Sequence, residues 1–181
     1  MIISAGRNEI FDFALPMGVG LVDMSINLTK FLCENRQSLP SEIIFVGSAG
    51  LYKEGKILKI YESRSAVNCE ISALYELSYS PISYEIIARN STNVSYETIT
   101  NSSNFITTDK KSALKFFERG YFLENMEFFA VLKVAQKFQI PAYGIFCATN
   151  FCDSNAHTDF LKNHAAAKEN LTKYLKTKAL I

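Results

Sequence analysis

The stretch "EIIFVGSAGLYKEGK", Glu42 to Lys56, sets an apolar run against four residues with almost no side chain, Gly47-Ser48-Ala49-Gly50. Such a run predicts a buried strand over residues 42–46 that opens into a loop where something approaches the backbone closely. Another piece of chain fits that description, and so does an anion held by free N–H groups.

Working outward, 181 residues suffice for one ordinary core, and a single domain over residues 1–181 is the expectation. Hydrophobic residues make up 48% and charged residues 20%, the balance of a chain that folds. A net charge of +1, with no dense Lys/Arg cluster, argues against a nucleic-acid or anionic-membrane surface. No apolar run approaches a membrane span, and "MIISAGRNEIF" lacks the pattern of a secretory signal, so a cytoplasmic location is expected. The Asn-X-Ser/Thr matches, such as Asn27-Leu28-Thr29, are therefore read as chance, and the four cysteines as reduced thiols.

Short strands are expected at residues 2–3 and 9–15 around a turn at Gly6-Arg7-Asn8. Leu21, Met24, Leu28 and Leu32 recur at helical spacing. Stretches at 57–61, 65–71, 83–89 and 93–99 read as extended. Asp109 is a candidate N-cap for a helix from Lys110 to Arg119 that stops at Gly120. A second helix starts near Glu127, "AYGIFCAT" is a further strand, and a long helix spans about 157–176 with Leu161, Ala165, Leu171 and Leu175 as buried candidates. Strands that alternate with helices but also follow one another predict an α/β layered domain, a mixed β-sheet flanked by helices.

Three polar or glycine-rich segments follow apolar ones: Gly47 to Gly50, Asn125-Met126-Glu127, and Thr149-Asn150 with Asp153 just beyond. Ligands of α/β sheets gather at such strand ends, where helix N-termini and loop N–H groups converge. Glu127 also suits the first turn of a helix for dipole reasons alone. Cys147, Cys152, His157 and His164 lack a paired-cysteine spacing, so no metal site is expected, and no organic cofactor is implied.

In order along the chain, "MGVGLVDMSINLTKFL", "FVGSAG", "NFITTDKKSALKFF" and "LENMEFFAVLKVAQKFQIPAYGIFCATN" resemble blocks of the nucleoside phosphorylase and nucleosidase superfamily, which includes purine nucleoside phosphorylases and methylthioadenosine/S-adenosylhomocysteine nucleosidases. The resemblance implies cleavage of an N-glycosidic bond in a purine nucleoside or 5′-substituted adenosine. It places Gly47 and Ser48 beside the ribose, facing phosphate or attacking water. Met126 would pack under the ribose, Glu127 would bind its hydroxyls, Phe105 would stack on the base, and Ile106 would supply backbone contacts. The "SD" pair of the family becomes Thr149-Asn150 here, so an amide replaces the acid expected at the base; Asp153 could substitute only if its loop folds back.

A second departure concerns the start. The chain reads as shortened by the family's first strand, with its water-activating carboxylate, and Phe45 stands where phosphorylases carry an arginine. A nucleosidase is thus favoured over a phosphorylase, with phosphate the secondary ligand. A catalytically silent nucleoside-binding or assembly protein that keeps the fold is the alternative. The apolar band around Val22 and Ile26 adds the expectation of a homodimer.

Overall fold

The computed structural model describes residues 1–87 and 97–181. The elements are β1 (Ile2–Ser4), β2 (Leu15–Pro16), α1 (Gly20–Glu34), β3 (Ile43–Leu51), β4 (Ile60–Val67), α2 (Ile71–Leu74), β5 (Glu85–Ile87), β6 (Glu97–Ser102), α3 (Lys110–Glu118), β7 (Leu123–Asn125), α4 (Phe128–Lys137), β8 (Ala142–Phe151) and α5 (Ala156–Thr177). The expected α/β class, a mixed sheet flanked by helices, is the observed one.

Among the described residues, the eight strands join in one sheet. The pairings β3–β7, β7–β6, β6–β4, β4–β8 and β8–β3 close five of them into a ring, while β1 and β2 extend parallel from β3. One core lies between the sheet and the helices α1 and α4, with Met24, Leu28 and Leu32 against Phe45, Phe128 and Val131. A second core seats α5, through Ala167, Leu171 and Leu175, on Ile44, Val46, Ile145 and Cys147.

Local signals account for the helices. Asp109 accepts the Ser112 N–H at 2.8 Å to cap α3, and Gly120, at φ +88°, turns the chain after it in a conformation glycine tolerates best. Asn125 caps α4, its Oδ1 accepting the N–H groups of Glu127 and Phe128 at 2.9 Å each.

Several expectations change. β3 does not end at Val46; it continues through Gly47-Ser48-Ala49-Gly50 to Leu51, paired with β8 along its whole length with a register shift at Ala49/Gly50. Small residues in its interior mark close approach of other groups, not a loop. The short strand expected at residues 2–3 is β1, which lies parallel to β3, Ile2 opposite Ile44 and Ile3 opposite Phe45. Residues 9–14 do not form a strand, because Glu9 bridges back to Gly6 and Phe11 turns into the α5 core. The extended runs at 57–61 and 65–71 meet in β4 only through residues 60–61 and 65–67, and α2 begins at Ile71. Those at 83–89 and 93–99 keep β5 and β6, and their remainder falls partly outside the described residues. On α5, Leu161 (50% exposed) and Ala165 point away from the sheet, because the buried stripe passes through Ala167, Leu171 and Leu175. Among the described residues, no helix is long and apolar enough to cross a membrane.

Candidate functional site

A cavity of about 280 Å³ opens where β1, β3, β7 and β8 end and the start of α5 passes over them. Ser48, Ile106, Met126, Glu127 and Asn150 line it together, although up to 102 positions separate them. Gly47, Phe105 and Asp153 are not among its lining residues. Phe105 is 76% exposed, with its N–H donating to Ser103. Asp153 accepts the Asn155 N–H at 2.8 Å, which ties its carboxylate into the turn before α5.

Gly47 contributes by what it lacks. A Cβ there would stand 2.9 Å from Glu9 Oε2, so glycine is what lets the Glu9 carboxylate reach the strand. Ser48 donates its N–H to Glu9 Oε1 at 2.6 Å and its hydroxyl to the same oxygen. Loss of water raises the Glu9 carboxyl above the ordinary value, and the two Ser48 bonds partly offset that rise.

Glu127, 3% exposed, sits at the N-cap of α4 and points toward the start of α1, where it accepts the Gly20 N–H at 2.8 Å. Gly20 holds φ +85°, and a Cβ on it would come within 2.8 Å of Asn104 Oδ1, which itself accepts the Leu21 N–H. Burial, and then the neighbouring Glu9 carboxylate, push Glu127 up to about 8; the Gly20 N–H pulls the other way. Two carboxyls thus face one cavity, and Glu9 opposes the ionisation of Glu127, an arrangement suited to holding a proton on Glu127 while Glu9 acts as base.

At the other end, Asn150 accepts the Thr149 hydroxyl at 2.9 Å and donates to the Phe151 carbonyl at 3.0 Å. Beside it lies Glu124, also part of the lining. Phe45 is fully buried between the Phe128 and Phe146 rings, at 6.3 and 5.7 Å, so no cation occupies that point of the sheet. Among the described residues, no group of three or more His, Cys, Asp or Glu side chains converges as a metal site would.

Glu9 and Glu124 lie outside the three polar or glycine-rich segments that the sequence marks, and Asn125 lies inside one without a role assigned to it. Glu9 has a recoverable signal, "IISAGRNE": an apolar pair, three small residues, a turn and an acid. Asn125 ties the site together, donating to the Ser48 carbonyl at 3.2 Å while capping α4.

No protein-family model and no curated protein sequence matches this chain. Solved structures do match its fold. A mutant of futalosine hydrolase from Helicobacter pylori strain 26695 superposes with a TM-score of 0.79 at 18% identity, covering 97% of this chain and 95% of that one. A mutant of the H. pylori 5′-methylthioadenosine nucleosidase, with 5′-methylthioadenosine in its active site, gives the same four values. The S. pneumoniae 5′-methylthioadenosine/S-adenosylhomocysteine nucleosidase with a transition-state inhibitor gives 0.75 at 12% identity, covering 96% and 95%. These structural neighbours are members of the nucleoside phosphorylase/nucleosidase superfamily, and the chain has their fold.

Proposed function

We propose that this protein hydrolyses the N-glycosidic bond of a purine nucleoside or 5′-substituted adenosine. The observation that carries the reading is the convergence of Glu9, Ser48 and Glu127 on one cavity. As the bond to the base breaks, positive charge builds on the sugar, and the Glu9 carboxylate, held in a dry site, stabilises it. Glu9, fixed by Ser48, is the base that takes a proton from the attacking water. Glu127 binds the ribose hydroxyls over Met126. Ile106 and Asn150 border the nucleobase.

Hydrolysis is favoured over phosphorolysis on electrostatic grounds. The Ser48 N–H and hydroxyl, the donors that a phosphate would need, are already taken by Glu9. A phosphate dianion would meet the charge of Glu9 and find no cation at Phe45, which leaves Arg7 of the cavity lining as the cation it would have to recruit. 5′-Methylthioadenosine, bound in the active site of one H. pylori neighbour, marks the substrate class to try first.

Chromatographic detection of free base from a nucleoside panel, with and without phosphate, tests the proposal. Release independent of phosphate is expected; ribose-1-phosphate formed faster than ribose would overturn the preference for water. Asn150 favours a second reading, a nucleoside-binding protein without turnover, since an amide cannot transfer a proton. Calorimetric binding of nucleosides that are never cleaved would establish that alternative.

The assembly proposed is a homodimer through α1, whose Val22 and Ile26 are 60% and 59% exposed. Light scattering should report a dimer, and Val22→Asp with Ile26→Asp should shift it to monomer. A wild-type monomer at micromolar concentration would refute it.

A further inference from the structure

A departing base keeps the electron pair of the broken bond, and Asn150 has no proton to give it. We propose that Glu124 is the catalytic acid of this site, its protonated carboxyl delivering the proton that the departing base takes up at N7. The assignment rests on the nucleosidase reading and adds to it a residue and a role.

The register of the sheet places Glu124 correctly. Gly50 of β3 is paired with Glu124 of β7 on one side and with Asn150 of β8 on the other. At the position a Gly50 Cβ would take, Asn150 Nδ2 is 3.1 Å away and Glu124 Cβ 3.8 Å away. The two side chains therefore share one face of the sheet, and both line the cavity. Asn150 thus has an acidic residue as its neighbour across Gly50.

The surroundings of Glu124 permit a neutral carboxyl. The Tyr52 hydroxyl lies 3.1 Å from Oε1, the Thr107 hydroxyl 2.5 Å from Oε1, the Thr107 N–H 3.0 Å from Oε2 and the Cys152 thiol 3.5 Å from Oε2. Only the Thr107 N–H is an obligate donor; the hydroxyls and the thiol can rotate their hydrogens away and accept instead. None of these partners is a cation that would fix a carboxylate. Burial raises the Glu124 carboxyl, and burial likewise raises Tyr52 and Cys152, so both of those stay protonated beside it. Glu127 is directed elsewhere, to the Gly20 N–H, and Asp153 to its own turn.

The step balances. The bond from the sugar to the base breaks with its electrons on the base, N7 takes the proton of Glu124, and water adds to the sugar carbon while its proton passes to Glu9. Solvent then returns a proton to Glu124 and removes one from Glu9.

The test compares two substrates in wild type and in Glu124→Gln. A purine nucleoside needs its leaving group protonated; nitrophenyl riboside does not, because nitrophenolate departs as an anion. Glu124→Gln should lower kcat on the nucleoside by ~100-fold or more, the range of a lost general acid, and leave the riboside within a few-fold of wild type. Equal loss on both substrates would assign Glu124 a packing role, and no loss on the nucleoside would remove it from the reaction; either overturns the proposal. Where wild type cleaves nucleoside but not riboside, Glu124→Asp decides: partial recovery supports the acid, and activity as low as that of Glu124→Gln overturns it. A wild type inert toward both substrates fails the nucleosidase reading itself and takes the assignment with it.

Discussion

Two glycines on β3, Gly47 and Gly50, open the strand to different chemistry. Gly47 admits the Glu9 carboxylate, and the region it serves collects acids: Glu9 makes Glu127 harder to ionise. Gly50 admits Asn150, Cys152 and Glu124, and the region it serves is rich in hydroxyl, thiol and amide groups around one carboxyl. A missing Cβ does the same thing at both places, making room, yet the neighbours set what the room is for. On the proposed reading, the first region meets the developing positive charge and the attacking water, and the second meets the planar, hydrogen-bonding base.

The comparison can be broken by mutation, most severely at Glu9. Glu9→Gln keeps the volume and removes the base, so turnover should fall by ~10³-fold with nucleoside binding little changed. Single-turnover kinetics beside calorimetry check this; full activity in the variant would end the division of roles.

Glu127→Gln comes next. Loss of ~2–4 kcal/mol of transition-state stabilisation is expected, read from kcat/KM. The same variant sharpens the electrostatic side. Glu127 has its folded-state value raised to about 8, so the folded protein holds a proton that the unfolded chain releases near pH 4.5. Stability from that neutral carboxyl is therefore complete below pH 4.5 and declines as pH rises toward 8. Denaturant unfolding should show this decline in wild type, and Glu127→Gln should flatten it.

The smallest effects are steric. Gly47→Ala sets a methyl 2.9 Å from Glu9 Oε2, and Gly50→Ala sets one 2.8 Å from Cys152 Sγ. Each should cost ~1–3 kcal/mol in stability, as overpacking does. Cys152→Ala should restore part of the loss only in Gly50→Ala, because Cys152 crowds that glycine alone; melting temperatures of the four proteins decide.

Much of the fold was legible. The spacing of Leu21, Met24, Leu28 and Leu32 marks α1, and Asp109 with Gly120 brackets α3 to within a residue. Caps and apolar stripes act over a few residues, so their physics is written in adjacent letters. Leu161 shows the limit even there: it is apolar and helical, yet the register of α5 on the sheet turns it to solvent.

The sequence by itself marked the small residues of β3, the Met126-Glu127 pair and Asn150 as candidates for the site. Their composition is too poor in side chain, or too polar, for an ordinary core. Only the tertiary structure decided that Gly47 and Gly50 are strand interior, that Glu9 meets Ser48 across 39 positions, and that Glu124 comes to lie beside Asn150. Those meetings depend on which strands pair and in what register. Pairing register is a sum of contacts between residues far apart in the chain, so no local window contains it.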